Sequence, residues 1–407
     1  MRRAIAIVTL IFFLASNIPG SAALGYVADT TVPLGGGCPQ ADRWNLSLAS
    51  PLNRRWSTSL SPAQTTVLTA NASGSAAQLN EIEQAVAASF ASWTGVAGTA
   101  FNTAAHPGLI APLARASDPN SCSNDAESNV DGLNTVCFNQ ASTGFASGVL
   151  AFTRTITANA PGVSVGVSGP AAFAGQILDA DTLFRKDGQA TFATPAALAT
   201  PQGAGAYDLE SLLTHELGHW FGLGHSAVWR AIMFPFAPPP GNFLGDRPTA
   251  QVPDGPLADD DRTGVRVLYA DPGDALYTGS IRGRVLPANL FALASIPAPS
   301  TGRSVTGIFG AQVVAVDADT GAVIAGTLGG WSCDAGNPPA KFDGTYELDR
   351  LAVGHNYKIY AEPLDGLVGP GDFSMALAEL CGTGATAECS TPAVNTNFSV
   401  RTRPPEP

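Results

Sequence analysis

His215-Glu216-Leu217-Gly218-His219-Trp220-Phe221-Gly222-Leu223-Gly224-His225 places three imidazoles and a carboxylate in one short stretch of chain. His215 and His219 are four residues apart, so on a helix both project from one face and can reach one metal ion. Glu216, beside the first of them, is suited to touch a water at that ion rather than to add a fourth protein ligand. Gly222 allows a sharp exit from the helix, after which His225 can swing back as the third ligand. Three protein ligands leave one tetrahedral position open, the arrangement of a catalytic zinc rather than a structural one. A lone H-E-x-x-H arises by chance in many helices. The extended pattern fixes more positions, and three of the chain's five histidines fall inside it.

These residues resemble the zinc-binding consensus of the metzincin peptidases, and among them the matrixins. The residues around it extend the likeness. Ala231-Ile232-Met233-Phe234-Pro235 resembles the methionine turn of that group, with Met233 forming a structural floor rather than a ligand. Ser226 follows the third histidine, as is typical of matrixins. Leu257-Ala258-Asp259-Asp260-Asp261-Arg262-Thr263-Gly264-Val265-Arg266-Val267-Leu268-Tyr269 is similar in register to their closing helix, and Gln176 to Asp181 resembles a D-A-D strand of bacterial members. The likeness runs over about residues 41–272. It implies an α+β fold, a metzincin catalytic domain of mixed twisted sheet and long helices around a zinc cleft. It also implies a zinc metalloendopeptidase, a hydrolase of peptide bonds in protein or peptide substrates, such as extracellular matrix.

On this reading His215, His219 and His225 hold one catalytic zinc. Glu216 is the catalytic residue, accepting the water proton and returning it to the leaving amine. Some metzincins carry a tyrosine two residues after the methionine, able to assist the oxyanion. Pro235 stands there, so that assistance is not expected. The apolar loop 234–243 would wall the pocket for the side chain after the scissile bond, favouring a hydrophobic residue. Animal matrixins build a second, structural zinc from histidines; only His106 and His355 remain here, so that site is expected to be missing. Asp179 and Asp181 are candidate ligands for a structural Ca2+, or else solvated strand-edge acids. Cys38 is a candidate latency thiolate, or else half of a structural disulfide.

The rest of the sequence frames this site. Residues 1–23 read as a secretory signal peptide: Arg2 and Arg3, an apolar stretch from Ala4 to Ser16, then the small residues Ser21-Ala22-Ala23. The apolar run is short for spanning a bilayer, so no transmembrane segment is expected after its cleavage. The expected location is secreted or extracellular, with periplasm and cell surface as variants, and the Ala- and Gly-rich composition resembles bacterial members. At 407 residues, 45% hydrophobic and 13% charged, the chain can bury two cores. Removing 1–23 takes two arginines and no acid, lowering the net charge from −12 to −14, so nucleic acid is not an expected partner. Six cysteines are permitted to pair outside the cytoplasm; proximity suggests Cys122 with Cys137 and Cys381 with Cys389, while sequence alone leaves the connectivity open.

The expected organisation is a short N-terminal segment at 24–43, the peptidase domain at 44–272, a linker at 273–278, an all-β sandwich at 279–400 and a disordered tail at 401–407. Within the peptidase domain, Ser75 to Gln78 predicts a capping box. Leu79, Ile82, Val86, Phe90 and Trp93 follow at helical spacing up to Gly95. Strands are predicted at 148–156, 164–167 and 177–184. Asp208 should cap the zinc helix, with Leu209, Leu213, Leu217 and Phe221 as its buried stripe. Alternating strands at 280–285, 310–316, 345–348 and 355–361 resemble a carboxypeptidase-regulatory or CnaB-type domain, with substrate or cell surface as its candidate contacts. The competing reading is a non-catalytic adhesion or structural protein displaying loops from a metzincin scaffold. Such scaffolds usually lose the glutamate or a histidine, and none is lost here.

Overall fold

The computed structural model describes residues 4–9, 28–31, 33–34, 38–47, 51–58, 67–102, 104–116, 130–140, 145, 147–185, 190–245, 255–287, 307–308, 310–329, 332–333, 340–341, 343–363 and 398–399. The fold is mixed α/β and divides into two compact units. One comprises residues 42–223 and 236–258. The other comprises 1–41, 224–235 and 259–407. Residues 224–235 and 259–272 therefore group with the C-terminal strands. Cys122, Cys381, Cys389, the tail 401–407 and most of the leader 1–23 lie outside the described residues; Ala4–Thr9 is placed as a strand beside Thr278–Pro287.

The first unit is organised by a five-stranded sheet in the order Ile110–Ala116, Leu52–Ser57, Thr135–Gln140, Gln176–Arg185, Ala151–Ala158. Its neighbours are parallel except the last pair, which is antiparallel. Strand Gln176–Arg185 is buried along its whole length, which suits a strand paired on both edges. The helix Ala76–Thr94 forms as its pattern predicts. Ser75 accepts the Gln78 amide at 3.0 Å, and Gln78 reaches back to the Gly74 amide at 2.7 Å. Ile82, Val86, Phe90 and Trp93 are buried along one face, which packs on the helix Leu209–Trp220. Trp93 Nε1 donates to the Thr214 carbonyl at 2.8 Å, fixing the register of the two helices. Phe90 meets Trp220 edge-on with ring centroids 5.5 Å apart.

One predicted strand is absent: 164–167 is a loop. The Val167 amide donates to Asp131 O at 2.7 Å and the Ser168 amide turns back to Val165 O. Gly166, at φ +46°, lies so close to Asp131 that a Cβ would come within 2.0 Å of its carbonyl oxygen. The distant Asp131 carbonyl, together with the local Ser168–Val165 turn bond, outcompeted the alternating pattern.

In the second unit, strands Thr278–Pro287 and Thr345–Ala352 pair in one sheet. Strands Val323–Leu328, Ala311–Asp317 and Tyr357–Pro363 form another. Val285, Ile308, Val313, Ala315, Ala325, Tyr346, Leu348 and Ala361 belong to one shared apolar core. Val323–Leu328, not foreseen from the sequence, is an edge strand. The helix Asp259–Tyr269 packs against it and against Thr345–Ala352. Asp317 opens the turn to Gly321 by accepting the Asp319 and Thr320 amides, each at 2.9 Å.

Candidate metal centre

Asp208 caps the ligand helix, its carboxylate accepting the Ser211 amide at 3.0 Å. Leu209, Leu213, Leu217 and Phe221 are fully buried on one face, as predicted, which leaves the histidines on another. The helix ends in a Schellman motif: Leu223 N–H donates to Gly218 O at 3.0 Å and Gly222 N–H to His219 O at 2.8 Å. Gly222 takes φ +89° at this turn. The turn is packed hard against backbone, since a Cβ there would lie 2.0 Å from Asp42 O. Two residues on, Trp44 Nε1 donates to Trp220 O at 2.9 Å. Arg43 meanwhile bridges to the 176–185 strand through Gly175 O and the Ile177 amide, both at 2.9 Å. Residues 42–44 thereby brace the helix exit from below.

The chain reversal brings His215, His219 and His225 together, with one ligand atom of each within 4.8 Å of the others. The rings of His215 and His219 stand edge to face, 5.0 Å between centroids. His219 Nδ1 lies 2.7 Å from Leu223 O. A carbonyl can only accept, so Nδ1 carries the proton and Nε2 keeps its lone pair for a metal. Three neutral imidazole nitrogens at this spacing fit a zinc ion, and the tautomer of one is already set for it. This is the one such cluster of three or more potential ligands among the described residues.

Glu216 is buried, and burial pushes its carboxyl up to about 8 against the opposing effect of a hydrogen bond from Thr153. Thr153 Oγ1 stands 3.0 Å from Glu216 Oε2, 2.9 Å from Glu216 O and 2.9 Å from Thr182 Oγ1. Thr153 donates its hydroxyl proton toward Glu216, while in the Thr153–Thr182 pair either hydroxyl can be the donor. Thr153 has no signature in the sequence; only the antiparallel pairing of Ala151–Ala158 with Gln176–Arg185 places it under the ligand helix.

Met233 is fully buried. The methionine turn is held by Asp261, whose two oxygens accept the Ile232 amide at 2.7 Å and the Met233 amide at 3.1 Å. Ser226 N–H donates to Met233 O at 2.8 Å, tying the residue after His225 to the same turn. The loop that follows is anchored at Gly241, whose amide donates to Ala206 O at 2.8 Å, and at Leu244, whose amide reaches Ser211 Oγ at 2.6 Å.

Two candidates are placed otherwise than expected. Asp179 and Asp181 are fully buried instead of edging a strand in solvent, and they act as acceptors for the preceding loop. Asp179 Oδ1 accepts the Gly132 amide at 2.8 Å and Asp181 Oδ1 the Thr135 amide at 3.0 Å, while Arg154 pairs with Asp181 Oδ2 at 2.9 Å. Three of their four oxygens are taken by these bonds and Asp179 Oδ2 has no hydrogen-bond partner, while the cluster of potential metal ligands among the described residues is that of the histidines, so the pair gives no support to a calcium site. Burial, with the Asp131 charge adding to it, pushes Asp179 up to about 6, and burial together with the Asp179 charge pushes Asp181 to about 8. Cys38 is disulfide-bonded, as is Cys137, so in this form its sulfur is no thiolate. His355 is exposed, its Nδ1 2.9 Å from Asp317 Oδ2 in the C-terminal strands.

Residues 138–270 match the Matrixin family model. A stretch of 64 residues, 16% of the chain, is 48% identical to Metalloendoproteinase 1 of Glycine max and covers 17% of that protein. A stretch of 62 residues, 15% of the chain, is 47% identical to Metalloendoproteinase 5-MMP of Arabidopsis thaliana and covers 14% of it. The chain thus spans less than a fifth of the length of these curated relatives. The matches support a matrixin-type metallopeptidase, and no helix among the described residues is long and apolar enough to cross a membrane.

Proposed function

We propose that this chain is a secreted, zinc-dependent endopeptidase that cleaves protein or peptide substrates. The observation that carries the reading is the convergence of His215, His219 and His225 beside a buried glutamate one residue along the ligand helix. A peptidase name on the curated relatives, and the family match over 138–270, support the same class. Secretion rests on the leader read in residues 1–23.

A zinc ion held by the three imidazoles would supply Lewis acidity and a water of lowered pKa. With a cation held there, Glu216 would stay in its carboxylate form. It would then be the group to accept the proton of the attacking water and return it to the leaving amine. Thr153 orients the Glu216 carboxylate toward that water. His219, with its proton fixed on Nδ1 by Leu223 O, presents Nε2 without a tautomeric search. Met233 floors the imidazoles with an apolar surface. The loop 234–243, mostly apolar, is assigned to the wall of the pocket for the side chain after the scissile bond, which we read as preferring a hydrophobic residue.

The test is metal content together with casein or gelatin cleavage, for the parent and for Glu216→Ala. Both should bind about one zinc and only the parent should cleave. Zinc in both and cleavage in neither would favour the non-catalytic scaffold; zinc in neither would remove the site altogether.

A further inference from the structure

The residue after the third histidine is held by a carboxylate that the C-terminal strands complete. Ser226 Oγ donates to Asp260 Oδ2 at 2.5 Å and accepts the Val228 amide at 3.1 Å. Asp260 is fully buried, and its other oxygen accepts the amide of Gly326 at 2.5 Å. Gly326 lies on Val323–Leu328, the edge strand of its sheet. Two residues earlier on the same strand, Ile324 O accepts a hydrogen bond from Thr263 Oγ1 at 3.2 Å. The N–H and C=O that an edge strand would otherwise leave open are thus taken by two side chains of the helix Asp259–Tyr269, in place of another strand. The fit is close: a Cβ on Gly326 would come within 2.6 Å of Val228 Cγ2. Glycine is what lets the strand backbone reach both Asp260 and the turn at 226–228.

We propose that Asp260 is a positioning residue for the third metal ligand, and that the Gly326 amide of the C-terminal sheet is part of its support. The C-terminal strands are then a component of the metal centre and not a detachable module. The physical reason is that a buried carboxylate must have its acceptors satisfied. If the Gly326 amide is withdrawn, Asp260 must turn to find another donor, and Ser226, bonded to its second oxygen, moves with it. His225 is covalently next to Ser226, so its imidazole shifts relative to the two histidines on the helix. This rests on the reading of His225 as a metal ligand.

The experiment uses the full-length protein with Co2+ as a spectroscopic stand-in for zinc and a chromogenic chelator to measure zinc affinity. Asp260→Ala should weaken zinc binding at least about tenfold and alter the visible cobalt band, with Asp260→Asn intermediate. Gly326→Ala, far from the site in sequence, should do the same, and the double variant Gly326→Ala/Val228→Ala should recover affinity by relieving the clash. A role in bulk stability alone would leave the cobalt spectrum and zinc affinity of the folded protein unchanged. Parent-like affinity and spectrum in both Asp260→Ala and Gly326→Ala overturn the proposal. Should Asp260→Ala fail to fold, Gly326→Ala and its double variant decide. A parent that binds neither metal would instead refute the metal site itself.

Discussion

Thr153 and Glu216 are joined by a hydrogen bond of 3.0 Å that runs from a sheet strand to the ligand helix. A carboxylate at the end of three rotatable bonds samples several orientations, and this bond selects one. Replacing the hydroxyl by a methyl of nearly the same size should leave the fold and the metal in place. Thr153→Val is expected to lower kcat by about tenfold with little change in KM, the pattern of an interaction that matters in the transition state. Steady-state kinetics on a peptide substrate check this; an unchanged kcat would remove Thr153 from the machinery.

Gly222 tolerates no side chain. At φ +89°, with Asp42 O 2.0 Å from where a Cβ would sit, Gly222→Ala carries both backbone strain and a collision with main-chain atoms. We expect a loss of stability above ~2 kcal/mol and reduced zinc content. Urea unfolding with and without chelator would show both effects.

Asp261 holds the methionine turn through two buried amides. Asp261→Ala leaves both donors without their acceptor, at about 1–3 kcal/mol each. The expected outcome is a midpoint shift in denaturant with an unchanged m-value. Asp261→Asn, retaining one acceptor, should fall between.

The Asp179–Asp181 pair predicts a pH dependence of stability. Both carboxyls bind protons more tightly in the folded chain than at the ordinary value of 3.8, chiefly because they are buried, and Asp181 also because the Asp179 charge lies beside it. Their favourable contribution is therefore full below pH 3.8 and is lost as pH rises, with the last of it gone above about 8. Asp131 adds to the repulsion and Arg154 opposes it. Between pH 6 and 8 the metal-free protein should lose stability with a slope approaching ~1.4 kcal/mol per pH unit for one proton. Asp179→Asn should flatten that slope and be more stable than the parent at about pH 8; thermal melts across the range would check it.

The contrast between what the chain spells out and what it conceals has a physical basis. The ligand helix, its Asp208 cap, the Leu209–Phe221 stripe and the Gly222 turn are local, and local spacing encodes them. The partners of those residues are not local. Thr153 reaches Glu216 across 63 positions, and Gly326 reaches Asp260 across 66. Residues 164–167 alternate like a strand but are captured by Asp131, a contact no pattern within the segment reveals. Asp179 and Asp181, read as candidate calcium ligands, turned out to be tethers, because the same carboxylate serves a metal or a buried amide equally well.

The brace formed by residues 42–44 also has a kinetic meaning. Trp44 and Trp220 are 176 residues apart, so the hydrogen bond between them closes one of the longest loops in its unit. Long closures are entropically costly and come late in folding. The ligand helix can form early from its own residues, but its exit turn is fixed only when the amino-terminal end of the unit arrives beneath it. On the proposed function, the ability to hold a metal is therefore a late acquisition of the folding chain: a helical intermediate would exist before it could carry any hydrolytic hazard to its neighbours.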